Sequence, residues 1–248
     1  MASSEELLIN VTPRETRVAV VENGMLQELH IERSSKRGVY GNIYKGRVQR
    51  VMPGMQAAFV DIGLERTAFL HASDIVLANS QQLAFESVES ESKPQPLITS
   101  LVHEGQQIIV QVIKDPIGTK GARLTTEISI PSRYLVLLAD SQLIGVSSRI
   151  DDDAERQRLK TLLQGYAGRT GFGYIVRTNA EGIEDSLIEQ DIAYLNRAIG
   201  VLNQRRQSAK VGECIYEDLS LPMRAVRDNE LAAGVAGINW NTKILPVR

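Results

Sequence analysis

Two phenylalanines placed symmetrically around one short turn constrain the fold of this 248-residue chain more than any other feature. Phe59 and Phe69 are equidistant from Leu64, which is at the centre of a GLER turn. The flanking stretches, QAAFVDIG at 56–63 and AFLH at 68–71, are typical of the two strands of a hairpin. Because side chains alternate between the faces of a strand, positions symmetric about the turn share one face. The sequence therefore predicts two phenyl rings side by side on a small sheet.

Two such rings have two possible uses. Exposed on a sheet, they form a surface on which unpaired nucleic-acid bases can stack. Alternatively, both are core residues, which is the usual position of phenylalanine. The net charge does not decide between these two uses. Nucleic-acid binders usually carry a basic patch, whereas the formal net charge of this chain is −2. Residues 38–73 have a small local excess of cations: Lys45, Arg47, Arg50 and Arg66 against Asp61 and Glu65.

The composition indicates an ordinary globular protein with one large domain or two to three small ones. Hydrophobic residues make up 43% and charged residues 23%, which is enough apolar material for a core. Cys214 is the single cysteine, so a disulfide within the chain is excluded. The sequence has neither an apolar run long enough to span a bilayer nor a signal-peptide pattern. We therefore predict a cytoplasmic protein.

The first half of the chain has the pattern of many short strands. Apolar runs at 7–11, 17–21 and 25–31 predict a three-stranded meander, with Asn23 and Gly24 at one hairpin turn. Further strands are predicted at 43–50, 56–62, 67–71, 106–114 and 122–126. Five short strands with glycine turns favour a small barrel of the OB type. The Ser-, Gln- and Glu-rich stretch at 78–100 predicts a flexible excursion between barrel strands.

The second half mixes helices with strands. An acidic run, Asp151 to Asp153, predicts a helix start, because carboxylates satisfy the free N–H groups of the first turn. Apolar residues at helical spacing predict a second helix at 186–207. Strands are predicted at 134–138, 172–176 and 214–216, with a last helix at 219–226.

Seven stretches of the sequence, in order from residue 8 to about 228, resemble the N-terminal half of enzymes of the ribonuclease E/G family. The segment KDPIGTKGARLTT at 114–126 favours the G branch of that family. The resemblance fades from Asn229 onward. The other matching stretches are LINVT at 8–12, NIYKGRV at 42–48, PGMQAAFVDIG at 53–63, FLHASDI at 69–75, PSRYLV at 131–136 and IVRT at 175–178.

The resemblance implies an α+β multidomain fold, in which an OB-fold β-barrel is inserted in a ribonuclease-H-like subdomain and is followed by an αβ 5′-sensor subdomain. The first part of the ribonuclease-H-like subdomain would cover 1–37, and the RNA-binding barrel 38–127. The 5′-sensor would cover 128–210. The second part of the ribonuclease-H-like subdomain would cover 211–248, with a truncated or divergent end.

The resemblance also implies which residues meet RNA on the barrel. Phe59 and Phe69 match exposed aromatic residues of the family's barrel, which favours stacking over a core position. Lys120 matches a lysine that contacts the RNA backbone, and it lies in a glycine-flanked turn where a cation can reach phosphate. A solvated surface lysine is the alternative at that position.

A second implied site binds the 5′ end of the RNA. Arg177 and Thr178 match the pair that holds the 5′-monophosphate, and a guanidinium fork with a hydroxyl suits that group. Val136 matches the residue that packs on the terminal base. The alternatives are a plain surface arginine and a core valine. Ser132 stands where some relatives have a glycine in this pocket.

The implied function is an endoribonuclease that acts on single-stranded, 5′-monophosphorylated RNA in rRNA processing and mRNA decay. This chain would supply RNA binding and 5′-end sensing. The family's catalytic carboxylates hold Mg²⁺ in a later DNase-I-like domain, so we expect no catalytic residue here and the Mg²⁺ ligands beyond residue 248. The full-length enzyme would be a homodimer or higher oligomer.

The residues themselves give no metal site. The three histidines are far apart in sequence, and a helix start explains the acidic run at 151–153. Two alternatives to the enzyme remain for the chain as it stands. It is a non-catalytic RNA-binding fragment, or a half-built fragment that exposes apolar surface and does not fold cooperatively.

Overall fold

The computed structural model describes residues 5–76 and 96–228, together with the backbone of 238–241. The chain divides into two compact units, one formed by Met1–Gly38 with Asp218–Arg248 and the other by Val39–Glu217. The predicted excursion at 78–100 lies outside the described residues as far as residue 95.

The described strands and helices follow the sequence pattern, except for those at 98–101, 129–131, 144–146 and 238–241, which the sequence analysis did not predict. The described strands are β1 Glu5–Val11, β2 Glu15–Glu22, β3 Met25–Arg33, β4 Ile43–Met52, β5 Ala57–Asp61, β6 Ala68–His71, β7 Gln107–Lys114, β8 Arg123–Thr125, β9 Ser129–Pro131, β10 Leu135–Leu138, β11 Ile144–Val146, β12 Gly173–Val176, β13 Cys214–Tyr216 and β14 Ile238–Asn241. The described helices are α1 Ile98–Leu101, α2 Asp153–Thr170, α3 Asp185–Ser208 and α4 Leu221–Asp228.

The first unit is built on a four-stranded sheet in the order β14-β1-β2-β3. The predicted meander β1–β3 is confirmed, and its second turn uses Asn23 and Gly24 at φ 51° and 77°. Such positive φ values are what an Asn-Gly hairpin turn supplies. Helix α4 packs on β2. The buried core of this unit consists of Leu7, Ile9, Val18, Val20, Leu221 and Ala225.

The second unit begins with a closed barrel. Its strands run in the order β4-β5-β6-β8-β7, and β4 pairs again with β7 to close the ring. The predicted five-stranded barrel of the OB type is therefore confirmed. Strand β13 adds to β4 with a bulge. Inside the barrel the fully buried side chains include Val48, Val60, Leu70, Val110 and Leu124.

A second four-stranded sheet follows in the order β11-β12-β10-β9. Helices α2 and α3 pack on it, and the apolar stripe of α3 is buried as predicted. The predicted acidic start of α2 is confirmed, because Asp152 Oδ1 accepts a hydrogen bond from Ala154 N at 2.9 Å. With the barrel, this gives the α+β fold class.

The backbone at Gly121, between the 117–120 turn and β8, passes very close to the backbone of Thr67. A Cβ added at Gly121 would lie 1.9 Å from the carbonyl oxygen of Thr67, just before β6. No L side chain fits at that distance unless the backbone moves. The glycine therefore sets how closely the start of β8 approaches β6.

We expect Gly121→Ala to lower the free energy of unfolding by about 1–3 kcal/mol, because overpacking against backbone forces the strands apart. Gly54→Ala is the matched control, since nothing lies within 4 Å of its added Cβ. Urea unfolding of both variants measures the difference. Equal losses in the two variants would contradict the close approach.

Candidate nucleic-acid interface

The two phenylalanines are paired directly across the hairpin of the barrel. Phe59 on β5 and Phe69 on β6 are Cα partners, as their symmetry about the turn predicts. Their ring centroids lie 6.0 Å apart with the planes at 71°, an edge-to-face arrangement. Both side chains are half-buried. The neighbouring residues Ala58, Val60 and Leu70 fill the barrel core instead.

His71 extends this aromatic surface. Its ring centroid lies 6.4 Å from that of Phe69, with the planes tilted by 31°. The ring is fixed by Ser73, whose backbone N–H donates to Nδ1 at 3.2 Å. The sequence signal for this position is its spacing of two from Phe69, which places both side chains on the same strand face. We refer to Phe59, Phe69 and His71 as the aromatic platform.

Arginines flank the aromatic platform in register. Arg50 on β4 is the Cα partner of Phe59, and Arg123 on β8 is the Cα partner of Phe69. Arg50 is exposed. The Arg123 guanidinium donates to both carboxylate oxygens of Asp74, at 2.8 and 3.1 Å, and these hydrogen bonds raise the pKa of Arg123. A row of two cations and two rings therefore crosses four strands.

Lys120 is exposed on the turn that leads into β8. The turn is closed by hydrogen bonds between Ile117 and Lys120, at 3.0 and 3.2 Å. The Arg66 guanidinium donates to the carbonyl oxygen of Gly118 in the same turn. Two cationic side chains thus lie at this end of the hairpin.

The residues predicted for the 5′ end lie together on the second sheet. Val136 on β10 pairs with Pro131 on one side and Ile175 on the other, and all three are half-buried. Leu135 and Leu137, which alternate with Val136, are fully buried. Because alternate residues point to opposite faces, Val136 lies on the face opposite that core.

Arg177 follows β12 and continues its pairing with β10, since its N–H donates to the Tyr134 carbonyl at 2.8 Å. Its Nη1 donates to the carbonyl oxygen of Ser132 at 2.7 Å. The next residue, Thr178, has its hydroxyl 3.2 Å from the hydroxyl of Ser147 on the segment after β11. Arg177 and Thr178 are both half-buried.

The loop that holds Arg177 is itself held by Asp191, a residue that sequence reasoning missed. Asp191 Oδ2 accepts hydrogen bonds from Ser132 Oγ at 2.6 Å, Tyr134 N at 2.9 Å and Leu135 N at 3.2 Å. The only signal in the sequence is one carboxylate next to the buried Ile192 of α3. The Arg133 guanidinium lies 5.3 Å from the ring centroid of Tyr134, within cation–π range.

The described ranges contain no group of three or more His, Cys, Asp or Glu side chains that could hold a metal ion. The same ranges contain no helix with the length and apolar character needed to cross a bilayer.

Two family profiles match the chain, in the same order as the two halves of its second unit. The S1 RNA binding domain matches residues 40–125, which contain the barrel and the aromatic platform. The Ribonuclease E/G family matches residues 129–242, which contain the second sheet with Arg177. The chain thus contains a region that matches the ribonuclease E/G family and a barrel that matches the S1 RNA binding domain. The second match extends to residue 242, and the divergence expected from Asn229 onward stays a prediction.

Within the family the chain is similar to ribonuclease G. It is 51% identical over 228 residues to Ribonuclease G of Escherichia coli (strain K12), covering 90% of this chain and 45% of the relative. It is 51% identical over 223 residues to Ribonuclease G of Haemophilus influenzae, with the same coverage. Ribonuclease E of Haemophilus influenzae is 36% identical over 226 residues, covering 90% of this chain and 23% of the relative. The chain therefore spans about half the length of the ribonuclease G relatives it matches.

Proposed function

We propose that this chain is the RNA-binding and 5′-end-sensing part of an endoribonuclease of the ribonuclease G type. The observation that carries the proposal is the in-register row of Arg50, Phe59, Phe69 and Arg123 on a barrel that matches the S1 RNA binding domain. Rings give sequence-tolerant stacking and cations give phosphate attraction, a combination that suits single-stranded RNA. The names of the relatives support the hydrolytic activity of the whole protein.

The proposal assigns each group a role. Phe59 and Phe69 stack unpaired bases, while Lys120 contacts the backbone on one side of the pair. Arg177 and Thr178 hold a 5′-monophosphate, and Val136 packs on the terminal base. Anchoring the 5′ end raises the local concentration of the strand at the barrel, which adds affinity without a new contact.

In this proposal the RNA-binding barrel covers residues 38–127 and the 5′-sensor covers residues 128–210. The stretches 1–37 and 211–248 form a ribonuclease-H-like subdomain. Strand β13 at Cys214–Tyr216 pairs with the barrel, so this returning segment would first touch β4.

The catalytic step is assigned to carboxylates beyond residue 248, which would be the ligands of Mg²⁺. The described residues offer no group of three or more His, Cys, Asp or Glu side chains that fits this ion. Action in rRNA processing and mRNA decay, oligomer formation and a cytoplasmic location belong to the same proposal for the whole protein.

We expect Phe59→Ala and Phe69→Ala each to weaken binding of a single-stranded, A/U-rich RNA by roughly 5- to 150-fold, because stacking one base is worth about 1–3 kcal/mol. Fluorescence anisotropy with a 5′-hydroxyl RNA isolates the barrel from the 5′-end site. Tyr40→Ala is the control, since Tyr40 is an exposed aromatic residue that lies outside strands β5 and β6. Wild-type affinity in both phenylalanine variants would reject the platform.

We expect Arg177→Ala to abolish the preference for 5′-monophosphate over 5′-hydroxyl RNA, because the guanidinium supplies both charge and paired donors to the phosphate. Arg177→Lys should restore only part of the preference, since an ammonium lacks the planar fork. Arg197→Ala, at an exposed arginine on α3, controls for general loss of positive charge. Discrimination that survives in Arg177→Ala would remove this residue from the site.

The isolated chain should bind but not cut. With Mg²⁺ and a labelled 5′-monophosphate RNA, we expect a retained band on a native gel and no products on a denaturing gel, because the implied catalytic carboxylates lie beyond residue 248. This outcome is the alternative function, a non-catalytic RNA-binding fragment, for the chain as it stands. Cleavage that stops with EDTA would show instead that the active site lies within 1–248.

A further inference from the structure

The loop between β9 and β10 supplies backbone acceptors to the Arg177 guanidinium. The loop is closed by Ser132 N, which donates to the Leu135 carbonyl at 2.8 Å. Its carbonyls face Arg177: Nη1 donates to the oxygen of Ser132 at 2.7 Å and lies 3.5 Å from that of Arg133. A change in the path of this loop would therefore move the acceptors that fix the guanidinium.

Asp191 fixes the same loop from the other side. One carboxylate oxygen, Oδ2, accepts from the N–H groups of Tyr134 and Leu135 at 2.9 and 3.2 Å, and from the Ser132 hydroxyl at 2.6 Å. The Ser132 Oγ also lies 2.9 Å from the Leu135 carbonyl, but it has only one hydrogen to donate. The carboxylate is the closer acceptor and the charged one, so it takes that hydrogen.

The support for this carboxylate is rigid. Asp191 lies on the 24-residue helix α3, between Ile188 and Ile192, which are both buried in the core beneath the sheet. Ser132 is itself only 2% exposed, so water cannot easily replace the lost acceptor. Removal of the carboxylate would leave two backbone N–H groups of the loop without their acceptor.

We propose that Asp191 is a positioning residue of the 5′-phosphate pocket: through Ser132, Tyr134 and Leu135 it holds the loop whose carbonyls aim the Arg177 guanidinium. This inference rests on the proposed function, since it concerns the pocket assigned there to the 5′-monophosphate. Under this proposal, the preference of the pocket for a 5′-monophosphate depends on the Asp191 carboxylate, which does not itself bind the phosphate.

The test compares two RNAs that differ only at the 5′ end. The 5′-end preference is the Kd for 5′-hydroxyl RNA divided by the Kd for 5′-monophosphate RNA, measured by fluorescence anisotropy with the 248-residue chain. We expect Asp191→Ala to lower this preference about tenfold, the effect of losing hydrogen bonds to a charged group, while binding of 5′-hydroxyl RNA stays at the wild-type value. Asp191→Asn keeps one carbonyl acceptor and should recover part of the preference.

The matched control is Glu189→Ala. Glu189 is an exposed carboxylate two residues away on α3 and accepts from Tyr166 Oη at 2.7 Å rather than from the loop. It should leave the preference unchanged. A wild-type preference in Asp191→Ala, or an equal loss in Glu189→Ala, would overturn the positioning role.

Two further measurements keep the result decisive. Circular dichroism tests whether Asp191→Ala folds. If it does not, Ser132→Ala, which removes only the hydroxyl hydrogen bond, should lower the 5′-end preference about threefold. A wild-type preference in both Ser132→Ala and Asp191→Asn would then overturn the proposal.

If the wild-type chain binds RNA without any 5′-end preference, the proposed phosphate pocket fails. Hydrogen exchange at the Tyr134 and Leu135 amides then decides the positioning role separately, because unchanged protection in Asp191→Asn would reject it.

Discussion

Strand β4 is the element on which the RNA-binding half of this protein depends. It pairs with β7 along its first half, with β5 along its second half, and with β13 near its start. Since both edges of β4 are used, the five strands close into a barrel without an open edge there. Gly46, in the middle of the strand, permits this closeness, because a Cβ there would lie 2.7 Å from Val60 Cγ1 and 3.1 Å from the Asp61 carbonyl oxygen.

Closure of the barrel fixes the register of its strands. That register determines where the side chains used by the proposed function lie. A slip of one residue would turn every side chain of a strand to the other face. With the observed pairing, Phe59 and Phe69 lie side by side, and Arg50 and Arg123 stand at the two ends of their row. The aliphatic neighbours fill the barrel core, so the surface stays aromatic and cationic. The proposed binding surface is thus a by-product of the same pairing that makes the fold stable.

On the second sheet, the residues of the proposed 5′-end site are positioned partly by strand pairing and partly by a loop. Val136 and Ile175 are paired by regular strand geometry, but the Arg177 guanidinium is placed by a loop. That loop takes its shape from a carboxylate on a helix far along the chain. A pocket built this way is sensitive to residues that lie outside it, which is why Asp191 matters to the proposed selectivity.

Much of this architecture is local and was predicted from the sequence. The Asn23-Gly24 turn, the Asp152 cap and the period-two pattern of β5 and β6 each depend on neighbours within a few residues. The same is true of the symmetric pair Phe59 and Phe69, since a tight hairpin fixes which residues face each other. Resemblance to the ribonuclease E/G family added the roles of Lys120, Arg177, Thr178 and Val136, and those roles remain predictions.

Other features depend on contacts between distant segments, which periodicity does not encode. Phe69 and Arg123 are 54 positions apart in the sequence. They are paired only because β8 lies beside β6. The bonds from Ser132, Tyr134 and Leu135 to Asp191 span 56 to 59 positions. The sequence by itself determined most of the strands, the three longer helices and the pair of rings, because turns and alternation act over a few residues. Only the tertiary structure decided which cations flank the rings and which carboxylate holds the arginine, because chain closure and helix packing bring those residues together.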